Sequence, residues 1–312
     1  MNLNKITIIV PCYNEEIYVD KLTDKLVNQC NNLDLNYEII FVEDGSTDNS
    51  FEEIQKKIVT NEKIKVIKLS KNYGSHIAIS AGIENSINSD LIIVCPLDDV
   101  EIVNLFSKLI NKSQEGYEIV WTVRKSRNKR FFLKIMTKLF YKLFIALTGF
   151  KNYPKNGTSA VFLITKKIAN ELIKFRESNR VINVLLYSIG FKQSFVEYDE
   201  NKNIRKSSFT FSKRIKIAID SIVSYSYMPM RIISLLGILL SVFAFIFSID
   251  VILDYYFNDI NVEGWTTVVI LISLIGGIQL LTLGILGEYL WRTSSDSKKR
   301  PLYLLDKKIG FK

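Results

Sequence analysis

One histidine, three cysteines and five prolines are all that the 312 residues hold of those types. A single His76 excludes a histidine-based zinc site, which draws several ligands onto one ion. Cys12, Cys30 and Cys95 are odd in number and show no CxxC or Cys/His spacing. A disulfide framework and a cysteine metal site are therefore both excluded, and the three read as small buried residues in a reducing compartment. Few prolines, 14 glycines and 23% charged residues exclude a collagenous, low-complexity or disordered chain. No secretory leader is expected, because residues 1–5 do not resemble one and lead directly into a short strand pattern.

Charge is withheld selectively. Residues 232–249 carry none, and neither do residues 265–287, which explains a mean hydropathy of +0.14 beside 23% charge. About 20 helical residues at 1.5 Å each cross a hydrocarbon core of roughly 30 Å. The second run reaches that length outright, and the first does so if it extends through Asp250 towards Leu253. Two buried core helices are the bland alternative, but only 25 residues follow the second run, too few for a domain around them. The expectation is two transmembrane helices.

Acid is absent from residues 124–155, which hold ten Lys or Arg. Residues 201–231 have seven basic residues and one acid, and residues 292–312 seven and two. The remainder of the chain holds 17 basic residues against 29 acids. Between the apolar runs lie Asp250, Asp254, Asp259 and Glu263 with no basic residue. Positive-inside reasoning places both chain ends in the cytoplasm and the acidic connector outside. A pI of 9.2 could suggest nucleic acid, but basic clusters beside membrane spans fit lipid headgroups and phosphates better. The sequon Asn156-Gly157-Thr158 then falls on the cytoplasmic side and reads as chance.

The first half alternates. Apolar, β-rich runs at 5–10, 37–42, 64–69, 90–95 and 117–122 are separated by helical patterns near 15–31, 49–60, 75–86 and 102–114. This pattern predicts an α/β domain with a mostly parallel sheet. Ligands of such sheets bind beyond the carboxyl ends of the strands. The segments there are Pro11-Cys12-Tyr13-Asn14-Glu15, then Glu43-Asp44-Gly45-Ser46-Thr47-Asp48, then Ser70-Lys71-Asn72-Tyr73-Gly74. Pro96-Leu97-Asp98-Asp99 and Arg124-Lys125-Ser126-Arg127 follow. Each alone is turn and cap chemistry. Together, with acids early and arginines late, they suit a phosphate-bearing ligand with a divalent cation.

PCYNEE, EDGSTDNS, LSKNYGSHIAISAG and RKSR resemble the nucleotide-sugar domain of family 2 glycosyltransferases with the GT-A fold. MPMRIISLLG, GILGEYLWR and RPLY extend the resemblance to the polyprenyl-phosphate glycosyltransferases, the dolichol-phosphate mannose synthase-like and bactoprenol glucosyltransferase-like enzymes. The two-helix anchor followed by GEY is similar to the bacterial branch, and the QxxRW signature of processive synthases is absent. The resemblance implies a nucleotide-sugar-binding core at 1–128 and an acceptor-side region with amphipathic interface helices at 129–228. Two transmembrane helices would occupy 229–291 and a basic cytoplasmic tail 292–312. It also implies an inverting transferase of the bacterial inner membrane, moving sugar from a nucleotide donor, UDP-sugar favoured, to polyprenyl (undecaprenyl) phosphate for the cell envelope.

Carried over position by position, Pro11, Tyr13 and Glu15 line the base and ribose pocket, and Asp44 and Lys71 contact the nucleotide sugar. Asp98 holds Mg²⁺ or Mn²⁺, Arg124 reaches the diphosphate, and Arg127 the phosphates of donor or acceptor. Lys206 and Ser207 fall in the acceptor-phosphate loop, where Arg205 replaces the expected Gly. Pro96 stands where the first metal Asp is usual and Val100 where Gln is. NGTSAVFL (156–163) lacks the acid often proposed as base.

Three readings follow from these departures. Asp98 can hold the ion with Asp99 or Glu101, since Mg²⁺ is commonly bound by one or two carboxylates plus phosphates. A phosphate acceptor, with a second pKa near 6, is already an anionic nucleophile without a base. The third reading is a catalytically decayed relative, acting as a nucleotide-sugar-binding or scaffold protein. A transporter or flippase fits less well, because the apolar runs offer only Gln279 as a strongly polar amide.

Lys134, Lys138 and Lys142 form one stripe on an otherwise apolar helix over 131–148, as at a membrane interface, although a core helix is the alternative. A second such helix is expected over 211–227. Gly276, Gly277 and Gly284 permit close helix packing and so a homo-oligomer.

Overall fold

The computed structural model describes residues 5–33, 35–97, 103–125, 131–150, 154, 159–177, 180–198, 228–257 and 264–311. The chain divides into two compact units, Met1–Ser221 with Arg300–Lys312, and Ile222–Lys299.

In the first unit the strands are β1 (Lys5–Cys12), β2 (Asn36–Glu43), β3 (Ile64–Leu69), β4 (Leu91–Val94), β5 (Ile119–Arg124), β6 (Phe162–Thr165), β7 (Gln193–Tyr198) and β8 (Leu305–Ile309). The helices are α1 (Glu16–Asn31), α2 (Ser50–Thr60), α3 (Ser75–Glu84), α4 (Phe106–Gln114), α5 (Phe131–Thr148), α6 (Lys166–Lys174) and α7 (Ile182–Ser188). The eight strands form one sheet in the order β7-β5-β6-β4-β1-β2-β3-β8. β3, β2, β1 and β4 are mutually parallel, whereas β6 runs against β4 and β5, and β8 against β3. The alternating pattern of the first half therefore forms the expected α/β, mostly parallel sheet, to which two antiparallel strands are added.

β1 is buried from Ile6 to Cys12, as expected of a strand covered on both faces. α1 buries Val19, Thr23, Leu26 and Cys30, a spacing of three to four residues that marks one helical face. α3 is buried nearly throughout and lies against β1. A methyl group at Gly82 would sit 2.4 Å from Cγ2 of Ile9, so only glycine permits that approach of helix to strand. Towards the amino ends of the strands, the buried Glu38 receives Lys5 at 2.8 Å, Lys65 at 2.7 Å and the Thr7 hydroxyl at 2.7 Å. Burial pushes its carboxyl up, but these bonds outweigh it and hold the group below the ordinary value.

Two features differ from the sequence reading. Residues 1–128 are not a separate core, because β6 and β7, from the segment read as acceptor-side, complete the same sheet. The segment read as a basic tail supplies β8, which covers the edge of β3. α5 forms as expected, with Phe144 buried against Phe150 at 5.9 Å and Phe150 against Tyr187 of α7 at 5.2 Å. Leu139, Lys142 and Leu143 of α5 are exposed. The helix expected over 211–227 lies outside the described residues.

The second unit contains α8 (Met228–Phe257) and α9 (Trp265–Ser297), which touch one another and cover both apolar runs. Among the described residues one stretch, Leu274–Ser297, is long and apolar enough to cross a membrane, and none of its most apolar window is buried. Leu235, Ile238, Val242 and Phe243 of α8 are also exposed.

Candidate functional site

The strand order places β1 between β2 and β4, so the chain changes direction across the sheet at that point, and the carboxyl ends of these strands are where sheets of this kind bind ligands. Pro11 fits this position for a backbone reason. The Ile9 carbonyl accepts from Cys95 on the β4 side, and the Cys12 carbonyl from Asp44 on the β2 side. By alternation Pro11 faces β4, which ended its pairing at Val94 opposite Ile9, so its missing N–H breaks no ladder bond. Pro11 is buried and Tyr13 is exposed at the rim.

The loops after β1 and β2 are joined by side chains. Asn14 adopts a left-handed conformation (φ 53°), which asparagine tolerates, and its Oδ1 accepts the Thr47 N–H at 2.8 Å. Its own N–H donates to the Ser46 hydroxyl at 3.0 Å, and the Glu15 N–H donates to Ser50 Oγ at 2.7 Å. Asp48 accepts from the Glu16 N–H at 3.2 Å and the Ser50 N–H at 3.0 Å, and the Asn49 N–H donates to Glu16 at 2.9 Å. Each of these segments alone is turn and cap chemistry, and the sequence reading has them converge on one edge. They act as one network that fixes the two helix starts.

Asp44 ties in the third loop. Its carboxylate accepts the Tyr73 N–H at 2.7 Å on one oxygen and the Gly74 N–H at 2.8 Å on the other, and the residue is buried. Burial pushes the carboxyl up to about 6, against those two bonds and assisted by the neighbouring Glu43 charge. Gly45 makes the junction close: its φ is +66°, and an added Cβ would lie 2.4 Å from the backbone carbonyl carbon of Lys71. Lys71 is exposed, with Nζ 5.1 Å from the centre of the Tyr73 ring. Glu43, fully buried, accepts the Ser46 N–H with one oxygen, and the other has no hydrogen-bond partner among the described residues.

Burial, followed by the nearby Glu15 carboxylate, pushes the Cys12 thiol far up, so it stays protonated and inert. All three cysteines are buried and none forms a disulfide with another, as expected.

Pro11, Tyr13, Glu15, Asp44 and Lys71 thus gather at one sheet edge. Arg124 ends β5, which runs parallel to β4 across β6, so its backbone reaches that same edge. Asp98, Arg127, Lys206 and Ser207 lie outside the described residues. Beyond the unacidic 156–158 segment, Ser159 is buried and accepts from Asn183 on its carbonyl at 3.3 Å. Among the described residues no group of three His, Cys, Asp or Glu is placed to hold a metal ion. Sequence reading missed Asn14, Glu43, Gly45 and Tyr73 as organisers, because each looks like ordinary turn chemistry until its partner is known.

Residues 7–183 match the family model described as glycosyl transferase family 2. The chain is 33% identical over 306 residues to an uncharacterized glycosyltransferase of Bacillus subtilis, YkcC, covering 97% of this chain and 94% of that one. It is 28% identical over 317 residues to an undecaprenyl-phosphate 4-deoxy-4-formamido-L-arabinose transferase of Proteus mirabilis, covering 99% and 95%. In fold it is similar to glucosyl-3-phosphoglycerate synthase of Mycobacterium tuberculosis, solved with Mn²⁺, UDP and phosphoglyceric acid, at a TM-score of 0.50. That match has 12% identity and covers 70% of this chain and 76% of that one. With its loop network at the carboxyl edge of a GT-A-like sheet and relatives along its whole length, the chain belongs to glycosyl transferase family 2 and is an enzyme of the glycosyl-transfer class.

Proposed function

We propose that the enzyme transfers a sugar from a nucleotide donor, UDP-sugar favoured, to the phosphate of undecaprenyl phosphate or a similar polyprenyl phosphate at the cytoplasmic face of a bacterial membrane. The observation that carries this reading is the presence, in one chain, of the loop network described above and two long helices with exposed apolar side chains. Such helices suit a lipid acceptor, whose phosphate lies at the bilayer surface. The relative named as an undecaprenyl-phosphate transferase, aligned over nearly both full lengths, supports the acceptor class. The UDP and Mn²⁺ of the structural relative support the donor class.

In this reading the 13–15, 44–45 and 71–74 segments bind the nucleotide, with Tyr13 beside the base and Lys71 near the diphosphate. An acceptor phosphate oxygen attacks the anomeric carbon as the bond to the nucleoside diphosphate breaks, with inversion. No base is required, because the acceptor is already an anion. Arg124 and Arg127 offset charge on the departing diphosphate, and Lys206 and Ser207 hold the acceptor phosphate. A divalent cation fits the donor set at Asp98 with Asp99 or Glu101, because Mg²⁺ accepts few protein carboxylates when phosphates complete its shell. It would neutralise charge on the leaving group.

The test is a donor screen with the full chain in anionic vesicles, undecaprenyl phosphate and radiolabelled nucleotide sugars. Label appearing in a lipid phosphate sugar is the expected result. Nucleotide binding without turnover for every donor would establish the decayed relative instead.

Asp44 gives a pH signature. Its folded pKa of about 6 lies above the ordinary carboxylate value, so its contribution to stability is full below that ordinary value and is lost as pH rises through about 6. Donor affinity runs the opposite way, since only the carboxylate keeps both oxygens as acceptors for the Tyr73 and Gly74 loop. UDP affinity is expected to fall as pH drops through about 6, while stability relative to Asp44→Asn rises. Parallel changes in both would remove Asp44 from the site.

Both apolar helices are proposed to span the membrane with the acidic connector outside. The native cysteines are buried, so background labelling is low. Cysteine at Asn258 should react with an impermeant thiol reagent in intact cells and cysteine at Ser294 should not. The reverse pattern would invert the topology.

A further inference from the structure

After the second unit the chain returns to the first, and its return segment meets the 70–74 loop directly. The Ser70 N–H donates to the Leu304 carbonyl at 2.9 Å. The Leu304 N–H donates to the Tyr73 hydroxyl oxygen at 3.3 Å, and the Tyr73 and Ser70 hydroxyls share a hydrogen bond at 3.1 Å. Beyond this point β8 pairs with β3 from Leu305 to Ile309. The segment is also anchored on the other side. The Tyr303 hydroxyl donates to Glu84 at 2.6 Å at the end of α3, and Arg176 donates to the same carboxylate at 2.9 Å. Leu302 is buried.

Tyr73 is thereby held from three directions. Its hydroxyl bonds to the return segment, its N–H bonds to Asp44, and its ring lies under Lys71. An edge strand needed only to cover β3 would not require a bond to a side chain in the neighbouring loop.

We propose that residues 302–310 are a positioning element for the donor loop, with Tyr73 as the positioning residue that transmits their placement to Asp44 and Lys71. The inference rests on the donor-site reading above. When the segment is docked the loop is preorganised. When it is released, the binding-competent loop becomes a fraction of the population and apparent affinity drops by that fraction.

The test uses the full chain, UDP with Mn²⁺ as the probe, and a double-mutant cycle. Tyr73→Phe removes the hydroxyl and keeps the ring, and Leu304→Pro removes the N–H that reaches it. Each is expected to weaken UDP binding roughly fivefold, the worth of about one hydrogen bond. The double variant should be no weaker than either alone. Gly74 amide exchange should quicken in all three, with the melting temperature nearly unchanged. Tyr303→Phe, which leaves the loop itself intact, should weaken UDP binding in the same direction and guards against a local fault in the proline variant. In any working transfer assay the change should fall on KM for the donor and not on KM for the lipid phosphate. Wild-type binding with unaltered variants, or additive losses that track falling melting temperatures, would overturn the coupling alone. A wild-type protein that binds none of UDP, GDP, CDP or dTDP would overturn the donor-site reading and the coupling with it.

Discussion

Gly45→Ala is expected to lower the melting temperature by roughly 6–12 °C and to cut turnover about 100-fold. Two costs combine at this position. The φ of +66° is strained for any residue with a Cβ, and the new methyl would stand 2.4 Å from the Lys71 carbonyl carbon and 2.6 Å from the Asn72 nitrogen. Both atoms are backbone, so no rotamer change relieves the clash. Left-handed strain and overpacking together cost on the order of 3 kcal/mol. The loop that moves carries Lys71 and Tyr73, so loss of UDP affinity should exceed what the loss of stability explains. Gly82→Ala is the control. Its Cβ would meet the Ile9 side chain at 2.4 Å in the core between α3 and β1, so it should cost stability while the remaining folded protein binds UDP normally. Calorimetry and UDP titration of both variants check this. A Gly45→Ala protein with wild-type melting and affinity would show that the 71–74 loop does not need its close seat on β2.

Asp98→Asn is expected to abolish divalent-dependent turnover, a fall of about 100-fold or more in kcat, with the melting temperature unchanged. Charge is removed but volume is kept, and the loss appears in kcat because charge on the leaving diphosphate grows in the transition state. Asp99→Asn should cost less, because the family resemblance puts Asp98, and not Asp99, at the metal-binding position. Pro96→Asp, which restores the acid usual at that position, should preserve or raise metal affinity. The approach to this segment is firm, since the Cys95 N–H bonds to Ile9 in β1 and Leu97 is buried. Full activity in Asp98→Asn, together with indifference to chelator, would assign the phosphate charge to Arg124 and Arg127 without an ion.

Much of this protein was legible before folding was considered. Apolar runs at 5–10, 37–42 and 64–69 became β1, β2 and β3, because a strand buried on both faces needs continuous hydrophobicity. α2 and α3 start within a residue of their expected positions, and at α2 Asp48 accepts the Ser50 N–H, as a capping residue does. Less legible were strands whose burial comes from neighbours distant in sequence. β6 is four residues, Phe162–Thr165, and is central only because β4 and β5 close on it from either side. β8, with its LDKKI sequence, reads as charge until β3 supplies the partner. The site shows the same division. Its side-chain types were visible as a succession of loops, but the bonds from Asn14 to Thr47, Glu15 to Ser50 and Asp44 to Tyr73 join residues about 30 positions apart.

The sequence by itself determined the alternation of strand and helix, the family, and the segregation of charge from two long apolar helices, because these depend on local period and composition. The tertiary structure decided that β6 and β7 complete the sheet, that β8 covers the edge of β3, and that Asp44 serves a neighbouring loop. Those outcomes depend on hydrogen bonds and contacts between distant segments, which no local pattern encodes.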